Sequence, residues 1–337
     1  MSESSRPLVA VTMGDPAGIG PEIVVRAYPE VLDAARPIVV GDASVLRRAV
    51  ELLESELSIA VVERVAEATV GPDAIPVLDL DNVEAVEYGV VSETYGAASL
   101  EYVERAIDLV TAGTVDAMTT GPINKQSTRL AGSEHAGHTG LLAERTDTDE
   151  YSMMLVEDDL RVSHVSTHVP LREACDLVTE ENVLATIRVT CDGLQAMGVE
   201  DPKIAVAGLN PHASDDGLLG DEEETEIRPA IERADAAGID VTGPEPPDTV
   251  FGAAVDGAYD CVVTMYHDQG HIPIKLLGFS GDGTVSGVNV TVGLPIVRTS
   301  VDHGTAFDIA GQGVASETSL VDAVELAAKM ARRRSAG

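Results

Sequence analysis

Short apolar runs closed by Gly, Pro or polar residues alternate along this chain with longer stretches whose apolar positions recur every three or four residues. Runs apolar on both faces fit strands buried between helices, and the longer period fits the helices that cover them. Strands are predicted at Pro7–Thr12, Ile38–Asp42, Ala117–Pro122, Lys203–Leu209 and Asp260–Met265, with a strand pair at Tyr151–Val156 and Arg161–Ser166. Asn289–Val297 carries a broken strand pattern, and residues 57–90 read as short strands with irregular connections. Helices are predicted from Ile23, from the second strand through about Leu53, over 95–112, Glu180–Gly198 and Glu222–Gly238, and over about 317–334. The polar segment 124–148 reads as helix with loops over a cleft, and Gly278–Val288 as a glycine-rich loop. Strand and helix alternate, so the fold class is α/β.

Composition adds limits. The 337 residues suffice for about two domains, and the hydrophobic content of 44% supports full cores. With no Trp and three Phe, packing falls to aliphatic side chains. No apolar stretch reaches the roughly 18 residues of a membrane helix. Met1–Pro7 is polar, without an apolar signal region, so a cytoplasmic protein is expected. Cys175, Cys191 and Cys261 form no CxxC pair, which argues against a disulfide framework.

Charge changes the picture more. Acidic residues number 57 against 22 basic ones, a formal net charge of −35 spread over the chain. Such a surface disfavours nucleic acid and anionic membrane as partners. It fits adaptation to high salt, where self-repulsion is screened. The run Asp221–Glu224 reads as a solvated first helical turn favoured by the helix dipole, with a metal site as the alternative.

Candidate chemistry gathers at strand exits. Three apolar runs end in turns that carry a histidine: His168 after Val162–Thr167, His212 after Ile204–Pro211 and His267 after Cys261–Tyr266. Open α/β sheets place ligands at the carboxyl ends of their strands. Three imidazoles delivered there would bind one divalent metal and leave a position for substrate. Any one of them alone reads as structural. Asp268, next to His267, would tune such a site or move a proton.

The Gly14–Gly20 stretch, GxxxGxG between strand and helix, would admit a ligand to the backbone and an anion to the helix end; a tight structural turn is the competing reading. Thr119–Lys125 offers hydroxyls and a lysine to phosphate or carboxylate, or is a plain loop. His138 and Thr139, between glycines, form a donor pair for an anion, or Thr139 caps a helix. Lys275, one of only four lysines, lies in an apolar setting and reads as an anion binder rather than a snorkelling edge residue. Arg298 suits bidentate carboxylate or phosphate contact, with Asn289 close in sequence. His135 and His164 read as ordinary histidines.

Taken together, Gly14–Glu22, Gly121–Lys125, Gly137–Thr139, Thr167–His168, Asn210–Ala213, Tyr266–Gly270 and Arg298–Thr305 resemble the PdxA family, in order and over nearly the whole chain. That family comprises 4-hydroxythreonine-4-phosphate dehydrogenase and its relatives. The resemblance implies two α/β/α domains around a cleft, as in the isocitrate and isopropylmalate dehydrogenases. Residues 1–125 plus 271–337 would form the nucleotide side, and 126–270 the metal and dimerisation side. It implies a homodimer with a shared active site, NAD or NADP as cofactor, and one divalent metal (Zn, Mg, Co or Mn) on His168, His212 and His267. His138, Thr139, Lys275, Asn289 and Arg298 would bind a small phosphorylated acid. Gly18 and Gly20 of the first turn, with His303 and Asp308 of the His303–Gly311 loop, would border the nucleotide.

The implied reaction is oxidation at C3 of a 4-phosphorylated hydroxy acid followed by β-decarboxylation, with Asp268 or Asp248 taking the proton. 4-Hydroxythreonine 4-phosphate is the leading substrate. Two departures, His271 and the long stretch Phe279–Val288, resemble instead the branch that acts on 4-phospho-D-threonate or 4-phospho-D-erythronate. A more remote relative oxidises a cyclic dihydrodiol carboxylate. Readings of other classes are a zinc hydrolase on the same three histidines, which leaves the His303–Gly311 loop without a role, and a non-catalytic metal-binding protein, which needs neither Lys275 nor Arg298.

Overall fold

The computed structural model describes residues 6–133, 138–278 and 286–336. Among them the strands are β1 (Leu8–Thr12), β2 (Arg36–Gly41), β3 (Ser58–Val62), β4 (Ala74–Asp79), β5 (Ala117–Thr120), β6 (Ser152–Glu157), β7 (Leu160–His164), β8 (Ile204–Ala207), β9 (Val241–Glu245), β10 (Cys261–Thr264), β11 (Val288–Val292) and β12 (Arg298–Val301). The helices are α1 (Gly20–Val31), α2 (Ala43–Leu52), α3 (Glu93–Thr111), α4 (Lys125–Leu130), α5 (His138–Arg145), α6 (Leu171–Asp176), α7 (Glu180–Met197), α8 (Arg228–Ala236), α9 (Val250–Val255), α10 (His267–Gly278) and α11 (Thr318–Ala336). The α/β class expected from the alternation is what forms.

Contacts divide the chain into two compact units, 1–146 with 284–288 and 296–337, and 147–283 with 289–295. These boundaries differ from those expected. Residues 126–146 join the first unit, where α4 and α5 pack on α3. The part of α10 from 271 to 278 joins the second, because that helix packs on β6, β7 and β10.

In the first unit the strand order is β3-β4-β2-β1-β5-β12, and every pairing is parallel. Ile38, Val39 and Val40 of β2 and Ala117 and Met118 of β5 are fully or almost fully buried, as the continuous apolar runs require. Helix α1 starts earlier than its apolar period suggested, since Pro21 occupies the first turn, where its missing N–H costs nothing. Strand β12 starts where the sequence pattern ended a strand, and it is held in register by β5, with Arg298 opposite Met118.

The second unit has the order β11-β6-β7-β10-β8-β9. The expected pair β6 and β7 is antiparallel, and β7, β10, β8 and β9 then run parallel to one another. Its core gathers Leu155, Val162, Ala205, Val262 and Ile274. Helix α7 begins at the Thr179 cap, whose hydroxyl accepts from Asn182 N at 3.3 Å. No helix among the described residues is long and apolar enough to cross a membrane.

Candidate active site

Strands β7, β10 and β8 are adjacent and parallel, so the chain leaves all three at one end of the second unit's sheet. They end at His164, Thr264 and Ala207, and the segments that follow carry His168, His267 and His212. His168 and His212 are exposed and His267 is half-buried. The rings of His168 and His267 lie 5.6 Å apart between centroids. Nδ1 of His267 stands 2.7 Å from Oδ1 of Asp268. A carboxylate only accepts, so that nitrogen carries the proton and Nε2 keeps its lone pair, as a metal-binding histidine requires. Nδ1 of His212 lies 3.8 Å from Oδ2 of Asp248. The donor types thus suit a divalent cation. Among the described residues, however, no three His, Cys, Asp or Glu groups converge on one point. Both aspartates expected to move protons stand beside histidines expected to hold metal.

Two further histidines complete a chain of rings. His164 is buried, and its Nδ1 donates to Met153 O at 3.1 Å. Nδ1 of His271 donates toward His267 O at 3.0 Å and His164 Nε2 at 3.1 Å. His271 stacks on His267 with centroids 3.6 Å apart. Burial pushes His164 down to about 4 and His271 down to about 3, so both are neutral in this arrangement. Nε2 of His271 is therefore left as an acceptor. Gly270 makes this possible: a Cβ there would meet His164 Nε2 at 2.7 Å. His164, read from sequence as an ordinary histidine, is a satisfied core residue that also braces His271; nothing in its local sequence signals the second role. His135 lies outside the described residues.

His212 opens a backbone stretch of left-handed residues, His212 to Asp216, with φ from 50° to 68°. Such residues cost about 1 kcal/mol each without glycine. The acidic run beyond it keeps Asp221 and Glu224 exposed, as in the solvated turn expected, but draws Glu223 inward. Glu223 is fully buried, and its carboxylate accepts from Asn210 N at 2.7 Å and Asn210 Nδ2 at 2.8 Å. The local sequence shows only four acids in a row, without the partner that draws one inward.

The expected substrate residues fall on both units. In the first, His138 opens α5, its side chain lying outside the described atoms, and Thr139 follows it half-buried within the helix rather than capping it. Arg298 starts β12 with its guanidinium buried, and Nη2 donates to Thr120 Oγ1 at 2.7 Å. Burial alone pushes it down to about 9. In the second unit Lys275 lies half-buried on α10, two turns beyond His267, with His271 between them on one helix face. Asn289 Oδ1, on β11, is buried without a hydrogen-bond partner among the described residues.

The turns expected to border the nucleotide meet within the first unit. Gly14, at φ 75°, turns the chain where any Cβ would strike Pro122 O, and Asp15 N donates to that oxygen at 2.9 Å. Gly18 lies against Thr305, and Ile19 N donates to Thr305 O at 3.0 Å. Gly20 is the first residue of α1. Buried Glu22 accepts from Gly311 N and, at 2.9 Å, from Gly313 N, which ties the His303–Gly311 loop to the first turn. His303 is half-buried and Asp308 exposed on that loop. In the other strand exit, between β5 and α4, Asn124 caps α4, accepting from Gln126 N and Ser127 N at 2.9 and 3.0 Å, and Lys125 is exposed at the first position of that helix.

A family profile described as pyridoxal phosphate biosynthetic protein PdxA matches residues 33–327. The chain is 48% identical over 327 residues to a D-threonate 4-phosphate dehydrogenase of Salmonella typhimurium, covering 96% of this chain and 98% of that protein. It is 45% identical over 337 residues to a 4-hydroxythreonine-4-phosphate dehydrogenase of Trichlorobacter lovleyi, covering 98% and 99%. The crystal structure of a 4-hydroxythreonine-4-phosphate dehydrogenase from Klebsiella pneumoniae superposes with a TM-score of 0.86 at 45% identity, covering 97% of this chain and 98% of that one.

Proposed function

Since this chain belongs to the PdxA family and is an NAD(P)-dependent dehydrogenase acting on CH–OH, we propose that it oxidises C3 of a 4-phosphorylated hydroxy acid and then releases CO2 from the β-keto product. Membership sets aside the zinc-hydrolase and the non-catalytic readings, and it carries the isocitrate and isopropylmalate dehydrogenase-like fold class. The observation that supports the site is the trio of adjacent parallel strand exits, each delivering a histidine in the same unit.

His168, His212 and His267 offer the imidazoles for one divalent cation, which when bound supplies Lewis-acid charge to the substrate oxygen. Asp268 orients His267, which leaves Asp248 as the better-placed acceptor of the hydroxyl proton. Lys275, Arg298, His138 and Thr139 bind the anionic ends of the substrate and so fix C3. Asn289 supplies an acceptor to a substrate hydroxyl. Gly18, Gly20, His303 and Asp308 border the nucleotide, whose nicotinamide accepts the hydride.

The working unit is a homodimer. Leu276 and Leu218 are each 78% exposed, near the His267 helix and the His212 turn, and Ile272 and Leu277 lie exposed beside Leu276. A second copy covering them would remove apolar surface from water next to the site. The net charge of −35 suits a salt-rich cytoplasm.

Among substrates we favour 4-phospho-D-threonate. The threonate relative is the more similar of the two described above, and His271, one of the two departures that resemble the threonate branch, stacks on His267 at the site. 4-Hydroxythreonine 4-phosphate is the second reading, supported by the full-length relative of that name. NADH formation is measured with both compounds side by side, with Zn2+ or Mg2+ at high salt. The threonate should show the higher kcat/KM; preference for the amino acid would reverse the assignment.

A further inference from the structure

The His212 turn is held by two buried side chains that the reaction itself does not use. The chain leaves β8 at Ala207 and reaches Asn210 just before the left-handed residues begin. His and Asp tolerate that conformation as single residues, but Ala and Ser do not favour it and five such residues in a row are costly, so the turn persists only where its surroundings impose it. Glu223 imposes it from one side. Its two carboxylate oxygens take the backbone N–H and the side-chain amide of Asn210, and Glu222 Oε2 takes the same amide at 2.8 Å.

Gln269 imposes it from the other. Its Nε2 donates to Gly208 O at 2.7 Å and its Oε1 accepts from Met265 N at 2.7 Å. Gly208 follows β8 on the way to His212, and Met265 follows β10 on the way to His267. One buried amide therefore spans the two adjacent strand exits, using its donor on one and its acceptor on the other. A glutamate of the same shape has no donor for Gly208 O.

We propose that Glu223 and Gln269 are positioning residues that fix the His212 turn in register with His267, so that both imidazoles face one cation. This rests on the reading of His212 and His267 as metal donors. A role in loop packing alone would lower stability without depending on whether His212 is present; positioning makes the two effects on metal binding non-additive.

The test is Zn2+ affinity of the full-length apoprotein, by competition with a chromogenic chelator, together with the melting temperature. Glu223→Gln and Gln269→Glu should each weaken Zn2+ binding by about tenfold or more. In a His212→Ala background neither should weaken it further. Glu222→Gln, on the half-buried rim, should act in the same direction with a smaller loss and serves where the buried variants do not fold. Wild-type affinity in the strut variants, beside a weakened His212→Ala, overturns the positioning role and leaves the metal reading intact. An equal further loss in the His212→Ala background also overturns it. Wild-type affinity in His212→Ala itself removes His212 as a donor, and the positioning role with it.

Discussion

Asp15 illustrates how much one side chain can be held against its preference. It has no exposed surface, and Oδ1 accepts from Ala17 N at 2.9 Å. Burial, only partly offset by hydrogen bonds, raises its pKa from 3.8 to about 6. Between those values the folded chain binds the extra proton, so this group's contribution is full below 3.8 and is lost as pH rises through 6. Keeping the carboxylate ionised at neutral pH costs on the order of 3 kcal/mol. Asp15→Asn retains the acceptor for Ala17 and removes the charge. Its urea midpoint should exceed the wild type's at pH 7.5, with the gain shrinking toward pH 4. A midpoint unchanged at pH 7.5 would show that the carboxylate is not penalised.

At the scale of elements, legibility followed burial. β1, β2, β8 and β10 are built on apolar runs, and a parallel sheet covered on both faces leaves such runs little else to be; β5 adds two buried threonines to Ala117 and Met118. Helix α10 was not legible. His267-Asp268-Gln269-Gly270-His271-Ile272-Pro273 carries a Gly and a Pro within seven residues, both poor helix formers, and it reads as a turn. Packing on β6, β7 and β10 overrides that propensity, and Gly270 lets the helix lie close over His164 and Thr264. Gly270→Ala adds a methyl 2.7 Å from His164 Nε2 and 3.0 Å from Thr264 Oγ1. Overpacking of this kind costs about 1–3 kcal/mol. Urea unfolding should record that loss, and His271, displaced from His164, should no longer stack on His267. The candidate site was legible as three histidines at strand exits. Glu223, Gln269 and His164 were not, because the contacts that give them a role, with Asn210, Gly208 and His271, join separate elements rather than neighbours within one.

For the whole molecule the governing quantity is charge. A net −35 on 337 residues means self-repulsion at every separation shorter than the screening length. That length falls from about 10 Å at 0.1 M salt to about 3 Å at 1 M. The melting temperature should therefore rise steeply between 0.1 and 1 M KCl and flatten above it, and a flat profile from low salt upward would count against salt adaptation. The division into units was only half legible. The family resemblance implied a chain that leaves the first unit and returns, but not that 284–288 and 289–295 part company within one short stretch.

That return sets the order in which the protein can be finished on the ribosome. β5 is the edge of the first unit until β12 pairs with it, and α11 then packs on β1, β5 and β12. Both belong to the last fifth of the chain. Translation at roughly 5–20 residues per second places some 8–30 s between the end of the first unit's opening segment and the emergence of β12. The segment synthesised second, which carries the histidines, is nearly complete before the segment synthesised first can close its sheet. A nascent chain halted shortly before β12 would present β5 as an unpaired edge to any strand nearby, although the N-terminal segment leaves the ribosome first.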